Sequence, residues 1–233
     1  ALIGGVYAAG KLDEFEEWVT SIDQSDMAMM LDFSWQSSGI FKGDKIIETL
    51  RGLIGEISIE DLPIPYTAVA ANVADEKEVW LQSGSLFDAI RASISLPLFF
   101  TPHVINGEVL IDGGVLNPVP IAPTFSDKTD FTLAVNLGGE PEMLQQEVIP
   151  VSLPTKQSNL HEKVTLFIDN LGSSVKSKMS FNFAAYDIAN QAFDAMQSTI
   201  ARQKLAAYPA DITLEIPRNA CGTLEFDRSQ EMI

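Results

Sequence analysis

Two stretches decide how this chain is read: Ala92-Ser93-Ile94-Ser95-Leu96-Pro97 and, further along, Val109-Leu110-Ile111-Asp112-Gly113-Gly114. In the second, a carboxylate follows a short apolar run and precedes two glycines. That order fixes a charged side chain at the end of a buried strand, because the apolar run anchors the strand and glycine lets the backbone turn away sharply. Ser85 to Ala92 carries Leu86, Ala89 and Ile90 at helical spacing and reads as a short helix. Val109 to Ile111 reads as a short buried strand, and Phe131 to Val135 as another, ending in Asn136-Leu137-Gly138-Gly139.

Outward from this centre, helix and strand signals alternate. Ala1 to Ala9 is small and apolar, a helix able to pack very close to a sheet, with Gly10 as its stop. Asp13 to Ile22 predicts a second helix, with Phe15, Trp18, Val19 and Ile22 on one buried stripe. The apolar run Met27 to Trp35 reads either as a buried helix or as a mobile cap over a lipid site. Asp44 is the expected cap of a third helix, with Ile46, Ile47, Leu50, Leu53 and Ile54 inward and Gly55 at its stop. Pro65 to Val73 and Glu78 to Gln82 predict a hairpin around Asp75-Glu76-Lys77. Glu140 to Gln157, with Pro141, Pro150 and Pro154, reads as a surface loop, and His161 to Asn170 as helical. The longest helix is expected over Ser177 to Leu205, with Phe181, Ala184, Ala185, Ile188, Ala189, Ala192, Phe193, Met196 and Ile200 as its stripe. Asp211 to Ile216 is a last strand. Strands separated by helices point to an α/β fold, three-layered (α/β/α), with a central mostly parallel sheet, over a single domain of residues 1–233.

Composition narrows the function. The 233 residues are 46% hydrophobic, enough for one large core. A formal charge of -17 repels polyanions and excludes nucleic acid as a partner. It also disfavours electrostatic docking on anionic lipid, leaving transient apolar contact with a membrane surface open. No apolar run reaches the ~20 residues that a spanning helix needs. The single cysteine, Cys221, excludes an internal disulfide framework and points to a reducing, cytoplasmic compartment. His103 and His161 are far apart and no Cys/His cluster has zinc spacing, so no metal is expected.

Three blocks resemble the bacterial patatin-like phospholipases, a family of lipid acyl hydrolases, in the family's order. They are Gly4-Gly5-Val6-Tyr7-Ala8-Ala9-Gly10, then Ala89 through Phe100, then Gly107 through Pro120. An Asp-Gly-Gly alone would be weak, but the second and third blocks at their spacing are specific. The resemblance implies carboxylic ester hydrolysis in lipids by a serine-aspartate dyad, with Asp112 as the acid, Gly113 and Gly114 letting the backbone pass close to the nucleophile turn, and a lipid or fatty-ester substrate. Leu96, Pro97, Phe99 and Phe100 are candidates for an acyl pocket, with core packing the plain alternative. No metal or organic cofactor is implied. Ser93 and Ser95 read as hydroxyls that satisfy backbone groups at a helix end, and His103 as an exposed loop residue after Pro102.

The chain departs from the pattern in one respect. No Gly-x-Ser-x-Gly occurs in it, and Gly172-Ser173-Ser174-Val175-Lys176 comes nearest, lacking the second glycine. The resemblance places the nucleophile turn and the glycine-rich oxyanion loop just before Ala1. The chain is therefore read as a piece beginning just after that turn and cut again at its C-terminal end, inactive as it stands. A second reading, a catalytically silent patatin-like domain that binds lipid or protein, is separated from the first by the residues that precede Ala1. An unrelated α/β domain would require the two spaced blocks to be coincidence.

Overall fold

A computed structural model describes residues 1–23, 26, 30, 39–141, 183–221, 225 and 228–233. Met27–Met29 and Leu31–Trp35 of the apolar run, most of the 140–157 loop and the 161–170 helix lie outside the described residues.

The centre of the fold is the strand β2 (Ala68–Asn72), Ala-Val-Ala-Ala-Asn, buried at every position. Small side chains let layers approach it from both faces. It pairs antiparallel with β3 (Lys77–Leu81) on one side and with β6 (Glu108–Asp112) on the other, and β6 pairs antiparallel with β5 (His103–Ile105). The order is β3-β2-β6-β5. Parallel pairing occurs between β1 (Gly39–Phe41) and β4 (Leu98–Phe100), and between β7 (Leu133–Gly139) and β8 (Ile212–Pro217). Sequence periodicity did not reveal β1, β4 or β5, which are three residues each.

Helices cover this framework. α1 (Leu2–Ala8) ends through Ala9, and Gly10 adopts φ +67 as expected of a glycine stop. Its small face packs on a helix instead of on the sheet: a Cβ on Gly5 would lie 2.9 Å from Ile90 Cδ1 and 3.1 Å from Leu86 Cδ1. α2 (Leu12–Ser21) buries Val19, with Ile22 buried just beyond it. α3 (Asp44–Ile54) buries Ile47 and Leu50. Its cap is Gly43 at φ +76, with Asp44 at the first helical position and no side-chain cap bond, a correction to the expected Asp44 cap. The reason is space. A Cβ on Gly43 would sit 2.9 Å from the Phe100 ring, so glycine takes the cap. α4 (Leu86–Ser93) starts at Ser85, whose hydroxyl accepts from the Asp88 N–H, and buries Leu86, Phe87, Ala89, Ile90, Arg91 and Ala92. It lies against β2, β5 and β6 on the face carrying Ala70 and Leu110.

The long helix α5 (Phe183–Ala207) packs on β7 and on the turn after β6. Its buried face is Ser198 and Ala201, with Leu205 packed beside them against Ala134. The expected stripe is split: Ile188 and Met196 are 68% and 57% exposed, whereas Ala189, Phe193 and Ile200 are half-buried. A short α6 (Ser229–Met232) closes the chain. No helix of the described residues is long and apolar enough to cross a membrane.

Candidate active site

Asp112 is the last residue of β6, opposite Ala70 of β2. Its backbone is pinned from the first decisive stretch: the Asp112 N–H donates to the Ser95 carbonyl at 3.0 Å. Its carboxylate is pinned from the glycine pair: the Gly114 N–H donates to Oδ1 at 2.7 Å. Burial pushes the Asp112 carboxyl above the usual aspartate range, and the Gly114 N–H opposes that rise. The Asp112 carboxylate lies within electrostatic range of Ala1, at the head of α1. Tyr66 holds the same head, its hydroxyl donating to the Ala1 carbonyl at 3.0 Å.

The two glycines answer to different neighbours. A Cβ on Gly113 would lie 2.2 Å from the Val69 carbonyl oxygen, so the chain leaves Asp112 in direct apposition to the backbone of β2. A Cβ on Gly114 would lie 2.6 Å from Gln197 Nε2 of α5 and 3.1 Å from Asp112 Oδ1. The Val69 carbonyl also accepts from the Ser93 hydroxyl at 2.6 Å, tying the end of α4 to the same point.

Ser95 is fully buried, and its hydroxyl binds Arg91 twice. Its hydroxyl donates to the Arg91 carbonyl at 2.8 Å and accepts from Arg91 Nη1 at 2.6 Å. Arg91, 2% exposed, also donates to the Lys42 carbonyl and to the Thr101 carbonyl and hydroxyl at 3.0 and 3.1 Å. One guanidinium thus joins β1, the end of β4 and the turn that holds Asp112. Sequence reading missed it, although a charged residue between the apolar Ala89-Ile90 and Ala92 is a visible signal.

Leu96 and Pro97 are half-buried beside that turn. Phe99 is buried in an aromatic group, 5.0 Å from the Phe41 ring and 4.7 Å from the Phe100 ring, and the Arg91 guanidinium lies 5.5 Å from the Phe100 centroid. His103 sits on β5, partly buried, with Nε2 3.7 Å from Asp88 Oδ1, and not in an exposed loop. Burial and the nearby Arg91 charge lower its proton affinity. His161 lies outside the described residues.

Beyond Asp112 the loop is braced from two directions. The Asn117 N–H donates to the Gly113 carbonyl at 2.8 Å, and Asn117 Nδ2 donates to Glu78 Oε2 at 3.0 Å. Glu78 also accepts from Trp80 Nε1 at 3.2 Å and from Lys204 Nζ of α5 at 2.9 Å. Burial raises the Glu78 carboxyl, but these donors outweigh it and hold it below the ordinary range. Among the described residues no three His, Cys, Asp or Glu side chains form a metal-binding group.

The patatin-like phospholipase family matches residues 1–125. An uncharacterized NTE family protein of Mycobacterium tuberculosis is 36% identical over 278 residues, covering 100% of this chain and 77% of its own length. Neuropathy target esterase sws of Drosophila melanogaster is 27% identical over 115 residues, covering 48% of this chain and 8% of its own. Lysophospholipase NTE1 of Saccharomyces cerevisiae is 25% identical over 155 residues, covering 63% and 9%. With the match extending over the half that carries Asp112, and one relative aligned across every part of the sequence, the chain belongs to the patatin-like phospholipase family.

Proposed function

We propose that Asp112 is the acid of a serine-aspartate dyad that hydrolyses carboxylic esters of lipids, the serine being supplied by a segment that precedes Ala1. The single domain of residues 1–233 is then the part of that hydrolase that follows the nucleophile turn. Membership in a family of lipid acyl hydrolases supports the reaction class. The observation that carries the residue assignment is the Asp112 carboxylate at the end of β6, held at Oδ1 by the Gly114 N–H within the Asp-Gly-Gly block.

The chemistry follows from the carboxylate's setting. Asp112 accepts the proton of the serine hydroxyl as its oxygen bonds to the ester carbonyl carbon. The same carboxyl returns the proton to the departing alkoxide as the ester C–O bond breaks, and water then reverses the sequence to release the fatty acid. An ordinary aspartate is a weak base, near ~3.9. Burial strengthens it here, and the Gly114 N–H keeps its Oδ1 oriented. Leu96 and Pro97, with Phe99 and Phe100 behind them, provide the apolar side for the acyl chain.

The test is ester hydrolysis by the full-length protein. Asp112→Asn is expected to lower kcat/KM by about 10²–10⁴-fold, the range that acid–base groups supply. Because the raised carboxyl must be ionised to act, activity is expected to fall as pH drops through a value above that of an ordinary aspartate. A wild-type rate in Asp112→Asn removes Asp112 from this role.

A further inference from the structure

The pair β7–β8 buries its small side chains and exposes its large ones. α5 packs on the face of β7 that carries the buried Ala134. On the other face Leu133, Val135 and Leu137 are exposed, Leu137 by 70%. β8 repeats the alternation, with Ile212, Leu214 and Ile216 exposed and the polar Thr213 and Glu215 between them. The register sets Leu133 opposite Ile212 and Val135 opposite Leu214, and paired residues point to the same side of a sheet. The six aliphatic side chains therefore make one continuous apolar surface. Parallel strands are covered on both faces in folded proteins, and among the described residues nothing covers this one.

We propose that the segment preceding Ala1 packs an apolar side on this β7–β8 surface. The proposal rests on that part of the reading above which places a segment before Ala1, and not on the role of Asp112. Three observations select this occupant. The first is position. The Asp112 carboxylate, within electrostatic range of Ala1, shares the Gly114 contact with Gln197 of α5, and the next residue, Ser198, has its Oγ 3.3 Å from where a Gly138 Cβ would lie. A chain entering α1 thus arrives beside the C-terminal end of β7. The second is length: the Mycobacterium tuberculosis relative that aligns with all of this chain has 77% of its own length matched, so the longer protein has chain to spare for the task. The third is charge. Two copies that each carry a formal charge of -17 repel one another, which opposes a dimer across this face, and the same charge opposes an anionic lipid surface.

The experiment places the photo-cross-linking residue p-benzoylphenylalanine at position 137 of the full-length protein, where it keeps a bulky apolar side chain, and identifies the cross-linked peptide by mass spectrometry with and without phosphatidylcholine vesicles. The expected product is an intramolecular cross-link to residues before Ala1, unchanged by the vesicles. A cross-linked dimer, a cross-link to lipid, a cross-link within residues 1–233 or no cross-link overturns the proposal. Leu214→Asp in the full-length protein supplies a second reading. It is expected to speed proteolytic cleavage of the segment before Ala1 about tenfold or more, because a buried charge opens the contact; unchanged cleavage overturns the proposal as well. Ester hydrolysis by Asp112→Asn reports separately on the dyad: a retained rate removes the role of Asp112 and leaves this surface standing, whereas a failed cross-link beside the expected loss of rate removes only the docking.

Discussion

Gly113 and Gly114 show how one motif hides two constraints. The neighbour of a Gly113 Cβ is the main-chain carbonyl of Val69, at 2.2 Å, inside a strand buried along its whole length. It cannot move aside without breaking the β2–β6 pairing. The neighbours of a Gly114 Cβ are the ends of two side chains, which can rotate. Gly113→Ala is therefore expected to cost about 3 kcal/mol and Gly114→Ala under about 1 kcal/mol, compared by urea denaturation. Equal costs would show that the Val69 carbonyl is not what selects glycine at position 113.

At the scale of elements, α4 and the turn after it form one unit with a cation at its centre. Arg91 satisfies the carbonyls of Lys42 and Thr101 and the Ser95 hydroxyl, and the Ser95 carbonyl holds the backbone of Asp112. A lysine carries the same charge but cannot spread its donors over the same fork. Arg91→Lys is expected to cost roughly 3 kcal/mol through unsatisfied buried groups, seen as a lowered thermal midpoint. An unchanged midpoint would mean that the carbonyls find water instead. The turn itself is tight: Leu98 has φ +69, a conformation costly for a bulky side chain, and it opens β4.

Taken whole, the molecule has the three-layer α/β/α fold of its family, and the parts differ in how plainly the sequence declares them. The Ser85–Ala92 helix, the hairpin at Asp75-Glu76-Lys77 and the strand ending in Asp112 were legible because their signals are local: a cap, a turn and an apolar run. The short strands β1, β4 and β5 have no room for a period, and the buried positions Ser198 and Ala201 of α5 lie outside the apolar stripe that its sequence displays. The place of Asp112 at a strand end was legible from its motif. Gln197, one polar residue in a long helix, acquires meaning only when the fold brings it over Gly114. The Lys204–Glu78–Asn117 chain is what joins the two regions. Lys204→Ala is expected to cost about 1 kcal/mol or less, given the partial exposure of the pair, and to speed amide exchange in the C-terminal half of α5 while β2 and β6 stay protected. Unchanged exchange in α5 would show that apolar packing alone holds it. The crowding at Gly114 has an evolutionary corollary. Because a swinging amide faces position 114 and a rigid main chain faces position 113, aligned descendants should carry alanine at the first far more often than at the second.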